Sequence, residues 1–227
     1  MIVGNGLVAS AFATLFSREP NVTVFASGVS NSREHRPEEF ARERQLLVSK
    51  LAPDQLMLYF STCSLNDPEL AQSPYVKHKA ELEQLLQAKA PQWAIFRLPQ
   101  VVGFGANPHT LTNYLYQQIS SGQRFQVWRH ARRNLIDISD VVTIATHLVK
   151  KGQAQGQVSN IACPFSVPIL DLVKLFETVL IKKAHYDFVE AGADYAIDTR
   201  QTELAATEAG VRFDDDYVSK LIRKYYA

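Results

Sequence analysis

Met1-Ile2-Val3-Gly4-Asn5-Gly6-Leu7-Val8-Ala9 decides what kind of sheet this chain builds. Met1 to Val3 is a short apolar run that reads as a buried strand, and Ala11, Phe12, Leu15 and Phe16 then recur at helical spacing. Between them Gly4 permits a tight turn, and Gly6 lets backbone approach a phosphate at a helix N-terminus. Ala9 is small enough for helix and strand to close on one another. Strand, glycine turn and helix in that order fit a nucleotide-phosphate turn; taken alone, they fit an ordinary turn at a domain's first strand equally well.

The pattern repeats downstream. Residues 21–25 (Asn-Val-Thr-Val-Phe) read as a second strand, followed by a small polar loop over 26–32. A helix is expected over 37–52, with Pro37 near its start, a strand over 56–60, a helix from 75 to 90 and a strand over 93–98. Beyond these, helices are expected over 111–119, up to 150 behind a Ser139-Asp140 cap, over 168–181, and over 215–226 behind an Asp214 cap. Short strands are expected over 125–128, 134–138, 158–163 and 186–189. Strands alternating with helices predict an α/β fold with a parallel sheet, right-handed crossovers, and ligands outside the carboxyl ends of the strands. Gly4, Ser27, Thr62 and Gln100 all fall at predicted strand ends, which gathers them along one sheet edge.

At 227 residues the chain suits one compact unit, divided as a core over 1–150 and a small lobe over 151–227. A net charge of +1 gives no field to attract nucleic acid or an anionic membrane, and no segment is apolar enough to span a bilayer. Cys63 and Cys163 are too few and too far apart for a disulfide framework or zinc site, which suits the reducing cytoplasm. His78, His109 and His130 lack metal-ligand spacing and read as surface or packing residues, so no metal is expected.

Ser61 to Lys79 carries the chemistry. Tyr75 and Lys79, four apart, share one helix face, placing a phenol beside an ammonium. Thr62 and Ser61 add hydroxyls at the end of the preceding strand. The competing readings are a core tyrosine with a snorkelling lysine, and a Thr62 that merely caps a turn.

With these residues in order, the chain resembles the extended short-chain dehydrogenase/reductase superfamily, specifically its NAD-dependent epimerase/dehydratase family. Phe60-Ser61-Thr62 resembles the strand-end Ser/Thr motif, and Ser73-Pro74-Tyr75-Val76-Lys77-His78-Lys79 the family's Tyr-x-x-x-Lys in its Ser-Pro-Tyr setting. Phe96 to Gly103 resembles the segment that reaches substrate and nicotinamide, and Arg133 to Val142 the family's Arg-Asp-Phe-Ile-His-Val-x-Asp-Val motif. The resemblance implies a Rossmann-like fold, an NAD or NADP cofactor, a nucleotide-sugar substrate, and a role in polysaccharide biosynthesis. It implies Tyr75 as acid/base, Lys79 lowering the Tyr75 pKa, and Thr62 holding the reacting oxygen. Cofactor contacts fall on Gly4, Asn5, Gly6, Leu7, Val8, Ala26, Ser27, Gly28, Ser61, Tyr75, Lys79 and Pro99. Substrate contacts fall on Ser64, Gln100 and Arg133, where arginine matches a diphosphate. Family dimers imply a homodimer through helices 37–52 and 75–90.

Three departures follow. Only two strands separate the glycine turn from the Tyr75 helix, so two βα units of the adenosine-binding half are expected to be missing, with strand 21–25 in the fourth-strand position. The adenine then lacks a pocket; no carboxylate ends that strand, although Arg33 and Arg36 stand near enough to meet a 2′-phosphate. The dehydratase branch places two acids after the strand-end hydroxyl, where this chain has Cys63 and Ser64, which favours an epimerase or ketoreductase. A non-redox protein that binds a nucleotide sugar or a partner is the alternative.

Overall fold

Leu56–Thr62 is buried along almost its whole length, as a strand covered by helices on both faces must be. A computed structural model of the chain describes residues 1–105 and 107–227. Its elements are β1 (Ile2–Val3), α1 (Leu7–Phe16), β2 (Val22–Phe25), α2 (Pro37–Ser49), β3 (Leu56–Thr62), a 3-10 turn (Cys63–Asn66), α3 (Pro74–Lys89), β4 (Trp93–Leu98), β5 (Gln100–Val102) and α4 (Leu111–Ser121). There follow β6 (Arg124–Trp128), β7 (Arg132–Arg133), β8 (Leu135–Asp137), α5 (Ile138–Lys150), β9 (Val158–Asn160), β10 (Val167–Pro168), α6 (Ile169–Leu180), β11 (His185–Val189), α7 (Arg200–Glu208) and α8 (Tyr217–Tyr226).

Five strands form the central sheet in the order β1-β2-β3-β4-β9, every neighbouring pair parallel. Phe12 and Phe16 of α1 and Ile144 and Leu148 of α5 pack on one face with Val24, Leu58 and Phe96. Leu47 of α2 and Leu82 and Leu86 of α3 cover the other face with Phe25, Tyr59 and Ile95. In a full doubly wound sheet the first strand is central and the order turns back beyond it. Here the sheet ends at β1, and β2 lies directly beside it. This is the shortened Rossmann-like architecture that the spacing predicts, with nothing on the adenosine side of β1 among the described residues.

A second core lies beyond the carboxyl ends of the strands. It joins Leu115 and Ile119 of α4, Phe125 and Val127 of β6, Leu172 and Phe176 of α6, and Leu221 and Ile222 of α8. The chain therefore does not divide at residue 150 as expected. β9 lies past that point yet pairs with β4 in the main sheet, while α4 and β6 lie before it yet belong to the second core.

Other expectations need correcting locally. The α5 cap is Asp137, whose carboxylate accepts from the Ser139 N–H at 2.8 Å, so the helix starts ahead of the expected Ser139-Asp140 cap. Helix α8 begins at Tyr217 with no side-chain cap bond, and Asp214 binds Lys220 instead. The strand expected over 56–60 continues through Thr62. β5, β7, β10 and α7 were not foreseen. Leu47 of α2 and Leu82, Leu85 and Leu86 of α3 lie inside the chain's own core.

These packing positions predict a contrast. Leu86→Ala, at a fully buried site, should lower unfolding free energy by about 2–5 kcal/mol. Val48→Ala, on the exposed face of α2, should change it by no more than about 0.5 kcal/mol. Urea titrations followed by circular dichroism measure both.

Candidate active site

The turn after β1 is built for close approach. Gly4 has φ +120°, and a Cβ there would run into the Ala26 carbonyl at the end of β2. Gly6 occupies the α1 N-cap without a side-chain capping bond, and the space where a Cβ would stand is open. The first N–H groups of α1 thus have no side-chain acceptor and face a cleft lined by Asn5, Gly6, Leu7 and Val8. Ala9, 1% exposed, seats the helix on the sheet.

Local sequence also aims the Tyr75 helix. Ser73 caps α3, its hydroxyl accepting from the Val76 N–H at 3.2 Å, and Pro74 pre-sets the first turn. That start turns Tyr75 and Lys79 inward, toward the end of β3. The Thr62 hydroxyl lies against the Tyr75 phenol and also accepts from the Ser64 N–H at 3.1 Å. Thr62 therefore both caps the 3-10 turn and faces the phenol. The Lys79 ammonium is 5.9 Å from the centre of the Tyr75 ring.

Burial pushes the Tyr75 phenol above the usual value of 10.0; the Lys79 charge and the Thr62 hydroxyl pull it back, and Glu43 and Cys63 oppose them. Lys79 thus acts in the expected direction, but burial outweighs it and the net result is a raised pKa. Among the groups opposing Lys79 is Glu43, a fully buried residue of α2 outside the expected site residues. Its carboxylate accepts from Lys79 at 2.8 Å, from the Tyr59 hydroxyl at 3.0 Å and from the Val29 N–H at 2.8 Å, and it bonds His78 Nε2 at 3.0 Å. Burial alone would raise the Glu43 pKa; Lys79, His78 and the Val29 N–H hold it well below the usual carboxylate range. His78 is accordingly an interior hydrogen-bonding residue stacked on Phe40, not a surface one. The only sequence signal for Glu43 is its i,i+4 relation to Leu47 on the inward face of α2.

One cleft of about 670 Å³ gathers the predicted residues. It is lined by Asn5, Gly6, Leu7, Val8, Ala26, Ser27, Gly28, Ser61, Thr62, Ser64, Tyr75, Lys79, Pro99 and Gln100. Gly4 shapes the turn from behind and Arg133 stands outside the lining, its guanidinium donating to the Arg132 carbonyl at 2.7 Å. Arg33 and Arg36 do not reach the cleft; Arg36 is engaged by Glu34 at 2.8 Å, and the arginine that does line it is Arg42 of α2. The Ser61 hydroxyl is buried without a partner. Tyr195 and Tyr226 also line the cleft, and neither was foreseen because both come from the far end of the chain. Burial raises the Tyr195 pKa, while Arg133 and the Ser64 hydroxyl pull it down, which sets Tyr195 beside two expected substrate residues.

The open Gly6 position, the uncapped α1 amides and the unpartnered Ser61 hydroxyl fit a phosphate-bearing ligand laid across the strand ends. Among the described residues, no cluster of His, Cys, Asp or Glu could hold a metal, and no helix is long and apolar enough to cross a membrane.

Comparison with known proteins bears on the fold. Residues 53–162 match the model of the NAD dependent epimerase/dehydratase family. The chain superposes on UDP-glucuronic acid 4-epimerase from Bacillus cereus, in complex with UDP-glucuronic acid and NAD, with TM-score 0.68 and 18% identity, covering 95% of this chain and 76% of that one. The Bordetella bronchiseptica enzyme WbmH, in complex with NAD+, gives TM-score 0.72 and 14% identity, covering 96% and 78%. RMD from Pseudomonas aeruginosa, complexed with NADPH, gives 0.65 and 16%, covering 93% and 82%. No curated protein sequence matches the chain.

The two positions after Thr62 are not a dehydratase acid pair. The Cys63 thiol points into the structure toward the Arg97 carbonyl at 3.4 Å, and burial pushes its pKa up to about 12. Cys163 is likewise buried and raised to about 12. Neither thiol should react with a disulfide reagent at pH 8 in the folded protein, whereas both should react in guanidinium. Counting released thiolate with and without denaturant measures this; rapid labelling of the native chain would contradict the burial.

Proposed function

We propose, from the premise that the chain belongs through residues 53–162 to the NAD dependent epimerase/dehydratase family, that it is an NAD(P)-dependent oxidoreductase or epimerase acting on a nucleotide-linked sugar. The observation that carries this reading is the joining of the glycine turn with Thr62, Tyr75 and Lys79 in one cleft. Tyr75 exchanges a proton with the reacting sugar oxygen, Thr62 holds that oxygen, and Lys79 sets the charge around the phenol. Bound nicotinamide supplies the hydride acceptor or donor. Asn5 to Val8 would hold its phosphates, Ala26 to Gly28 and Pro99 would flank it, and Ser64, Gln100 and Tyr195 would face the sugar.

Epimerase and ketoreductase share this proton chemistry. Water elimination fits less well, because the Cys63 thiol is inward, with its pKa raised to about 12 by burial, and Ser64 has no carboxylate. With the sheet ending at β1, the cleft suits the nicotinamide and phosphate half of a dinucleotide better than the adenosine half. A protein that binds a nucleotide sugar without redox turnover is the second reading, and that missing half favours it.

Titrating NADH and NADPH while following nicotinamide fluorescence separates the two. Saturable enhancement supports the oxidoreductase; no binding at millimolar cofactor by folded protein sinks it. Tyr75→Phe should lower turnover by at least about 100-fold, the scale of a lost general acid or base, while unfolding and cofactor binding stay near those of the parent. Steady-state rates beside a thermal melt measure this, and near-normal turnover would remove Tyr75 from its role.

A further inference from the structure

Glu43 has its acceptor positions filled. One oxygen takes the Lys79 ammonium and the Tyr59 hydroxyl, and the other takes the Val29 N–H and meets His78 Nε2. Lys79 in turn gives a second hydrogen bond to the Tyr59 oxygen at 3.2 Å. Two of its three ammonium protons are thus committed to Glu43 and Tyr59. The backbone at Gly28 closes over the pair; a Cβ there would lie 2.7 Å from both Glu43 Oε1 and Lys79 Nζ. Lys79 is 3% exposed and Glu43 is fully buried, so water does not screen one charge from the other.

The ionisable groups facing this pair are few. Glu43 comes from α2, Tyr59 from β3, and Tyr75 and His78 from α3. The Cys63 thiol faces Tyr75 from the 3-10 turn, and Arg42 of α2 pairs with Glu39 at 3.1 Å and reaches the Ser27 carbonyl at the cleft rim at 3.5 Å. Lys79 is then the cation beside the phenol, and a carboxylate offsets it at 2.8 Å.

We propose that Glu43 is a positioning residue that clamps the Lys79 ammonium in a buried pair, offsets its charge beside Tyr75, and so keeps Tyr75 a proton donor. The inference rests on Tyr75 being the acid/base of the proposed reaction. In the reductive half of that reaction a bound reduced nicotinamide would supply hydride to the carbonyl carbon of the sugar, and the carbonyl oxygen would take the Tyr75 proton. The product is an alcohol, and the phenolate left on Tyr75 regains a proton from solvent. The opposite direction begins with that same phenolate, so the clamp moves the pH dependence of both directions upward. The raised Tyr75 pKa agrees with this placement.

The test needs no substrate, so its failure is distinguishable from failure of the proposed reaction. Tyrosine labelled with ¹³C at Cζ reports each phenol by NMR, and Tyr75→Phe identifies the Tyr75 signal. Glu43→Gln, which keeps the hydrogen-bonding shape but removes the charge, should lower the Tyr75 titration midpoint by about one pH unit, a tenfold gain in phenolate at fixed pH. In a Lys79→Met background the same substitution should shift the midpoint less, because only the direct charge of Glu43 on the phenol remains. A midpoint unchanged in folded Glu43→Gln, or a shift that survives intact without Lys79, overturns the proposal. If Glu43→Gln does not fold, Glu43→Asp, which withdraws the charge by one methylene, must lower the midpoint, and no shift there overturns it equally.

Discussion

Parallel pairing of all five central strands constrains everything else in this molecule. Each connection must return from one end of the sheet to the other, so every strand finishes on the same edge. The glycine turn after β1, the small-residue loop after β2, the hydroxyls ending β3 and the Pro99-Gln100 step after β4 meet there without any being near another in sequence. Helices on both faces bury the strands, and this burial holds the edge rigid enough to aim side chains. The sheet tolerates the loss of its adenosine half because β1 still pairs with β2 on its other side.

The electrostatics of the cleft follow from the same burial. A phenol, an ammonium and a carboxylate are held together behind the Gly28 backbone, away from solvent. In such surroundings one added charge changes the meaning of its neighbours. A Tyr-x-x-x-Lys pair facing nothing else would make Tyr75 a readier base. The same pair tied to Glu43 leaves a neutral phenol beside a charged lysine whose charge a carboxylate offsets.

The second core completes the cleft through its own polar latch. Asp137 ends β8, caps α5, and accepts from Lys224 at 2.7 Å and Tyr225 at 2.8 Å of the last helix. Tyr217 donates to Asp140 at 2.6 Å, and its oxygen accepts from the Asp137 N–H at 2.9 Å. These bonds seat α8 so that the Tyr226 hydroxyl reaches Asn113 at 2.6 Å on the cleft rim. A few bonds between distant segments thereby bring the end of the chain to a site laid out at its beginning.

What the sequence by itself determined was local or periodic. Apolar runs marked the central strands, Ser73-Pro74 marked the start of α3, and the spacing of Tyr75 and Lys79 placed both on one face. The short interval from Gly6 to Tyr75 announced the missing units, since a crossover needs a minimum length. What only the tertiary structure decided depends on groups far apart in the chain. Glu43 sits in a helix whose neighbours are exposed charges, and nothing within α2 says that this one carboxylate turns inward to Lys79. Tyr195 and Tyr226 carry no motif, and the exclusion of Arg133 from the cleft lining depends on how β7 meets β10. Sequence order records which groups a strand or helix carries. How strongly a buried charge shifts its neighbour's pKa is set by distances across the fold, and only folding fixes those.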